Sequence, residues 1–183
     1  MTHIIGIAGS LRQRSFNLGL LEAARELMPD GSTLSVHRIN AIPLYNADEE
    51  AADGLPASVT ELKEAIAKAD GVLLSTPEYN NGIPGVFKNT IDWLSRPADD
   101  IGRTFGGRPF AVMGASPGGF GTILSQDAWL PVLRTLGTRP WFEGRLMVSR
   151  ATTLFDAEGR LTDQATRERL KAFLAGFVDF TAR

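Results

Sequence analysis

The 183-residue sequence predicts a three-layer α/β fold built on a doubly wound, five-stranded parallel sheet. Two observations carry this. Short apolar runs alternate with longer segments of helical spacing from one end to the other, the signature of parallel strands joined by crossover helices. The runs His3–Ala8, Val72–Leu74 and Pro109–Gly114 are apolar at almost every position. Continuous rather than alternating hydrophobicity marks strands covered on both faces.

In chain order, His3–Ala8 is the first strand, and Gly9-Ser10-Leu11-Arg12-Gln13-Arg14-Ser15-Phe16-Asn17 leads from it into a helix carrying Leu18, Leu21, Ala23, Ala24, Leu27 and Met28. Thr33–Ile39 alternates and reads as a half-exposed strand near a sheet edge. The acidic run Asp48-Glu49-Glu50 is expected to be a solvated loop. Pro56 opens a second helix, with Val59, Leu62, Ile66 and Ala69 inward and Glu61, Lys63, Glu64 and Lys68 outward, and Asp70-Gly71 stops it. Val72–Leu74 continues through Ser75 and Thr76 into Pro77-Glu78-Tyr79-Asn80-Asn81-Gly82. Pro84 suits the first turn of the next helix, whose apolar face is Ile83, Val86, Phe87, Ile91 and Leu94, with Trp93 beside it. A Pro-, Asp- and Gly-rich loop spans 96–107.

Pro109–Gly114 runs into Ala115-Ser116-Pro117-Gly118-Gly119-Phe120-Gly121. A helix is expected from about Ile123 to Leu136, kinked by Pro131 or starting late because of it. Thr138–Phe142 reads as the last core strand, and Val148–Phe155 as an irregular edge element or subunit contact. A final helix follows a cap at Thr162, reaches about Phe180, and buries Leu170, Phe173, Leu174, Phe177 and Val178. Five strands in this arrangement suit the flavodoxin-like order 2-1-3-4-5, with a ligand at the switch point between the first and third strands.

The totals bound the function. One domain, residues 1–183, is expected, because a chain of this size buries roughly 70% of its unfolded surface without a disulfide or metal staple. A formal charge of −2 gives no reason to expect nucleic acid or an anionic membrane as partner. Zero cysteines exclude disulfides, thiolate nucleophiles, iron–sulfur clusters and Cys-zinc sites, so redox chemistry must belong to a bound cofactor. His3 and His37 are too few for a histidine metal site, and no metal is expected. The N-terminus lacks the basic and long apolar regions of a signal peptide, and no apolar run reaches the ~18 residues of a membrane span. A cytoplasmic protein is expected.

Three loops leave the same carboxyl edge of such a sheet. The first offers unpartnered N–H groups at a helix start, hydroxyls and a guanidinium, which suit a phosphate. The second offers an aromatic ring, amides and a proline-stiffened backbone. The third offers small residues that allow close approach to a flat ring. Together they describe a pocket for a phosphate joined to a planar heterocycle.

At this point the residues resemble the NAD(P)H-dependent FMN reductase family of flavodoxin-like quinone, chromate and azo reductases. The matching pieces are Gly9-Ser10-Leu11-Arg12 with Ser15-Phe16-Asn17, Ile42-Pro43-Leu44-Tyr45, Thr76-Pro77-Glu78-Tyr79-Asn80, and Lys88-Asn89-Thr90-Ile91-Asp92-Trp93-Leu94-Ser95-Arg96. The resemblance implies that Ser10, Arg12, Ser15, Phe16 (through its backbone) and Asn17 hold the FMN phosphate. It implies that Pro77, Glu78, Tyr79 and Asn80 line the isoalloxazine and ribityl chain, and that Ser116, Gly118 and Gly119 close the other side. Arg14 is not a position the family fixes. Trp129-Leu130-Pro131 stands where many relatives carry an arginine, and Gly121-Thr122 replaces a frequent glycine pair. The implied activity is two-electron transfer from NADPH or NADH through FMN to a quinone or similar small acceptor, by ping-pong kinetics, with no indispensable catalytic side chain. The resemblance implies dimers or tetramers formed through the helices flanking the flavin, for which Phe87, Ile91, Trp93 and Trp129 are candidates, with core packing the alternative reading for at least half of them.

Two rival readings come from the same residues. A flavodoxin-type electron carrier would share fold and cofactor, although such carriers tend to be strongly acidic for docking on basic partners. Gly114-Ala115-Ser116-Pro117-Gly118 matches the G-x-S-x-G nucleophile elbow at a strand-to-helix turn, but no histidine follows His37 to complete a hydrolase triad.

Overall fold

A computed structural model describes residues 1–183. Its strands are β1 (Thr2–Ala8), β2 (Ser32–Arg38), β3 (Gly71–Ser75), β4 (Pro109–Ala115), β5 (Arg139–Pro140) and β6 (Leu146–Val148). All pair in parallel, in the order β2-β1-β3-β4-β5, with β6 also on β4. The flavodoxin-like order read from the sequence is the one observed.

The helices are α1 (Phe16–Glu26), α2 (Ala47–Asp53), α3 (Ala57–Ala67), α4 (Gly85–Leu94), α5 (Ile101–Thr104), α6 (Ile123–Thr135) and α7 (Gln164–Thr181). Leu20 and Leu21 of α1 and Leu170, Phe173, Leu174 and Phe177 of α7 pack on the sheet face that carries Ile4 and Ala8. Helices α3, α4 and α6 cover the opposite face, where Ile5 and Ile7 meet Leu62, Ile66, Phe87, Ile91 and Leu133. Successive β1 side chains thus feed two different cores, which is why the strand is apolar throughout.

Several local expectations are corrected. The fifth strand is split: β5 pairs with Pro109 and Phe110, the chain bulges away, and β6 resumes pairing at Met113–Ala115. The interruption turns Trp141 inward against Phe173 and Phe177, at centroid distances of 5.0 and 5.8 Å. Gly144 makes room, since a Cβ there would lie 2.2 Å from the indole. The acidic run is helical rather than a loop. Asn46 caps α2 by accepting from the Asp48 N–H at 3.0 Å, and three carboxylates in the first turn suit the helix dipole.

Lys63 does not face solvent; it is 1% exposed, with Nζ 2.8 Å from Asp100 Oδ2 and a further bond to the Arg96 carbonyl. Its charge ties to α3 the 96–107 segment, which carries the short helix α5 rather than being loop throughout. Helix α6 begins at Ile123 and runs through Pro131, which lies on the exposed side where water can serve the freed carbonyl. The cap of α7 is Asp163 rather than Thr162; its carboxylate accepts from the Thr166 N–H at 2.8 Å. Phe87, Ile91, Trp93 and Trp129 are all at most 1% exposed, so they are core residues and not a contact surface. No helix is long and apolar enough to cross a membrane.

Candidate functional site

The loops after β1, β3 and β4 converge at the carboxyl edge of the sheet. Chain direction reverses beside β1 at this edge, because β2 lies on one side of it and β3 on the other. In the first loop the Gly9 N–H donates to the Ser75 carbonyl at 2.9 Å. A Cβ on Gly9 would lie 2.1 Å from Cδ1 of Phe87, so the glycine is required by packing against α4. Ser10 is buried, and its hydroxyl accepts from the Arg12 N–H at 3.4 Å. Ser15 caps α1, its hydroxyl accepting from the N–H groups of Asn17 and Leu18 at 3.2 and 3.4 Å. The N–H groups of Ser10, Leu11 and residues 13–16 have no acceptor within the chain. This arc of open donors at a helix N-terminus is matched to an anion.

Two groups shape that arc from outside. The Leu11 carbonyl accepts from Asn40 Nδ2 at 3.1 Å and from Arg38 Nη2 at 3.4 Å. Arg12 and Arg14 line a cleft of about 380 Å³ beside the loop, with Phe16, Thr152 and Phe155. Both guanidinium-bearing residues are exposed.

In the second loop Tyr79 and Gly82 exchange backbone hydrogen bonds of 3.3 and 3.1 Å around Asn80 and Asn81. Both asparagines adopt positive φ, 52° and 61°, a conformation asparagine tolerates better than other side chains and one that a two-residue reversed turn demands. Pro77 is buried and Tyr79 is half-exposed at the rim. The Glu78 carboxylate turns away from the groove: Oε2 accepts from the N–H groups of Leu124 and Ser125, at 2.8 and 3.0 Å, and caps α6. Only backbone is left at Glu78 to meet a ligand, and its N–H has no acceptor in the chain.

In the third loop the Ser116 hydroxyl donates to the Gly121 carbonyl, while the Ser116 N–H and carbonyl bond Val148 and Ala151. The glycines divide into two kinds. A Cβ on Gly114 would fall 2.1 Å from Thr122 Oγ1, whereas Gly119 has nothing within 4 Å and Gly118 only Ser116 Oγ at 3.6 Å. Gly118 and Gly119 are thus not demanded by packing, and they leave an open wall for a flat group. The serine-hydrolase alternative has no geometry behind it. Ser116 Oγ is engaged with Gly121, and β2, which carries His37, lies three strand spacings from β4, about 14 Å away.

The edge carries the Arg12 and Arg14 guanidinium groups beside its open N–H donors. Beside it, the 39–46 segment is strapped to α4: Pro43 O accepts from Asn89 Nδ2 at 2.8 Å and Trp93 Nε1 at 2.9 Å, and the Tyr45 N–H donates to Asn89 Oδ1 at 2.8 Å. Arg96 holds Glu50 through Nε at 3.0 and 2.9 Å, and this hydrogen-bonded guanidinium keeps the Glu50 carboxyl below its ordinary range. The Tyr45 hydroxyl donates to the same carboxylate, which pushes the phenol upward.

Asn17 is the residue whose placement differs most from its expected use. Its side chain is buried and fully engaged with β3 and β4. Nδ2 donates to the Ala115 carbonyl at 2.8 Å, and Oδ1 accepts from the Ala115 N–H at 2.9 Å and lies 3.2 Å from Ser75 Oγ. The cross-bonds of Asn17, Glu78, Asn40 and Asn89 were missed in the sequence. One signal was available for Asn17: it precedes Leu20 and Leu21 by three and four positions, which places it on the buried face of α1, where a polar group must find partners.

Fold and edge together define a flavodoxin-like α/β protein with a cradle for a phosphate-bearing planar ligand. The donor set fits FMN. An arc of open N–H groups with Ser10 and Arg12 suits a phosphate, and the free N–H of Glu78 and the open wall at Gly118 and Gly119 suit a ring with a polar edge. Residues 2–153 match the NADPH-dependent FMN reductase family, and the chain belongs to it. It is 42% identical over 168 residues to an NAD(P)H-dependent FMN reductase of Pseudomonas aeruginosa, covering 92% of this chain and 89% of that one. It is 34% identical to a 2-hydroxy-1,4-benzoquinone reductase of a Burkholderia species, covering 92% and 90%. Among solved structures it superposes on FerB, an NAD(P)H:(acceptor) oxidoreductase of Paracoccus denitrificans, with a TM-score of 0.87 and 34% identity over 100% of this chain and 98% of that one.

Proposed function

We propose that this chain is an FMN-dependent NAD(P)H oxidoreductase that delivers two electrons to a quinone or similar small acceptor. The observation that carries the reading is the arc of open N–H groups after β1, facing the same edge as an unencumbered glycine wall, in a chain of this family. When bound, FMN would supply the redox chemistry of two-electron transfer between NAD(P)H and the acceptor.

The chain's own task is to bind, orient and polarise. Ser10, Arg12, Ser15 and the Phe16 N–H hold the phosphate, with Asn17 bracing them. Pro77, Tyr79, Asn80 and the Glu78 backbone line one side of the ring and ribityl chain, and Ser116, Gly118 and Gly119 close the other. The Glu78 N–H, fixed and unpaired, favours negative charge at the ring's polar edge. No side chain is assigned a proton-transfer or nucleophilic role. The exposed rim residues Leu44, Tyr79 and Phe120 favour a flat apolar acceptor over a highly charged one. Residues 1–183 act as a single FMN-binding domain, and dependence on NAD(P)H supports a cytoplasmic setting.

Self-association is part of the proposal, but not through the residues first considered. The exposed apolar side chains Ile123, Leu124 and Leu130 of α6, with Phe142 of the bulge, border a cleft of about 370 Å³ and form the better candidate surface. Light scattering of wild type against Leu130→Glu tests it; an unchanged molar mass rejects it.

Stopped-flow mixing of FMN-loaded protein with NADPH tests the activity. Rapid loss of the flavin's visible absorption, followed by its return on adding a benzoquinone, is expected. Absence of bleaching favours the flavodoxin-type carrier instead.

A further inference from the structure

The mutual geometry of β3, β4 and Asn17 goes beyond an assignment of phosphate ligands. In the β3–β4 ladder Ser75 is the partner of Met113, and the Thr76 N–H donates to the Met113 carbonyl at 2.8 Å. Two residues further along β4, Ala115 turns its N–H and carbonyl to the same side. Had β3 continued in register, the Thr76 carbonyl and the Glu78 N–H would have met them. Instead β3 leaves the sheet at Pro77, and the Asn17 carboxamide takes both bonds, at 2.9 and 2.8 Å. The Ser75 hydroxyl secures the amide from the β3 side, 2.9 Å from the Asn17 carbonyl and 3.2 Å from Oδ1. A primary amide carries one acceptor and one donor side by side, so it can replace a peptide edge. An ionised aspartate, which only accepts, cannot do both.

We propose that Asn17 is a positioning residue for the flavin ring rather than a phosphate ligand: its carboxamide replaces the β3 backbone opposite Ala115 and so leaves the Glu78 N–H free for the ring. The inference rests on the FMN reading above. One side chain from the first turn of α1 thereby sets the spacing of all three loops, because Ser75 ends the strand before the second and Ala115 ends the strand before the third. Ser15 and Arg12 act on the phosphate; Asn17 acts on the wall against which the ring lies.

The test compares FMN with riboflavin, which has the ring but no phosphate. Arg12→Ala is expected to weaken FMN and leave riboflavin unchanged. Asn17→Ala and the isosteric Asn17→Asp are expected to weaken both flavins by the same factor, about tenfold for the loss of a buried hydrogen-bonded brace. FMN bound to either Asn17 variant is expected to show a shifted visible spectrum and reduction potential, which a defect confined to general stability would not produce. Selective loss of FMN binding in the Asn17 variants, above all a charge-driven loss in Asn17→Asp with riboflavin unaffected, overturns the proposal and restores Asn17 to the phosphate.

A second measurement needs only the wild-type protein. The Glu78 amide is expected to exchange rapidly with deuterium in the FMN-free state and to become protected when FMN binds. Protection already present without FMN, or none gained on binding, overturns the proposal even if the variants do not fold. Failure of the wild type to bind any flavin overturns the functional reading instead, so the two failures are distinct.

Discussion

Replacing Gly9 with alanine places a methyl group 2.1 Å from Cδ1 and 2.6 Å from Cε1 of Phe87. Neither side can yield easily. The Gly9 N–H is held by the Ser75 carbonyl at 2.9 Å, and Phe87 is fully buried, edge-on to Trp129 at a centroid distance of 4.9 Å. Overpacking in a well-filled core costs typically about 1–3 kcal/mol, and with both partners constrained the upper half of that range is expected. For a chain of this length, about 2–3 kcal/mol lowers the melting temperature by about 4–12 °C.

Urea unfolding of the FMN-free protein should therefore show a lower midpoint with an unchanged slope. Because the clash is with one ring, Phe87→Leu in the same chain should relieve it. The double variant is then more stable than the sum of the single losses by at least about 0.5 kcal/mol. FMN affinity should fall in Gly9→Ala and recover in the double variant. A Gly9→Ala protein within about 0.5 kcal/mol of wild type, or strict additivity of the two substitutions, refutes the packing argument.

Other expectations follow from single contacts. Glu78→Ala removes the carboxylate that caps α6 from the second loop and should cost about 1–2 kcal/mol, with Glu78→Gln recovering part of it; unchanged stability in denaturant would discard this cap. Hydrogen bonds from Arg103 first, then Lys63, hold the Asp100 carboxyl at about 2, against an ordinary 3.8. A depressed carboxylate stabilises the fold fully above its unfolded value and loses that contribution as pH falls towards about 2, so Asp100→Asn should flatten the acid limb of the stability profile between roughly pH 4 and 2. An acid limb with unchanged slope would contradict the assignment. A fluorophosphonate probe should leave the wild-type protein unlabelled, because Ser116 Oγ is engaged with Gly121 and has no histidine; labelling at Ser116 would revive the hydrolase reading.

Where sequence and structure agree, the determinants are local or periodic. Strands apolar on every residue, separated by helices with one apolar stripe, leave little choice but a parallel sheet covered on both faces. The convergence of the loops on one edge follows from that topology, and five strands suit the order observed. The Ser15 cap is of the same local kind, since a hydroxyl one residue before a helix acts within its own turn. Lys63 shows the limit. Its place on the helix predicts solvent, yet the 96–107 segment folds back over α3 and supplies Asp100 and a carbonyl. The acidic run Asp48–Glu50 looked like a loop because composition alone does not reveal that Asn46 caps it or that Arg96 takes Glu50.

By itself the sequence determined the α/β class, the parallel sheet, the family, and the convergence of three unusual loops on one sheet edge. Each follows from periodicity or from residue types clustered within a few positions. Only the tertiary structure decided which polar groups in those loops are free. Asn17 bonds a residue 98 positions away, and Glu78 bonds N–H groups 46 and 47 positions away. A side chain's chemistry says what it can bind, but burial and proximity decide what it does bind. With those two side chains committed to the scaffold, the open N–H groups, Ser10, Ser15 and Arg12 are what the proposed reading leaves for a cofactor.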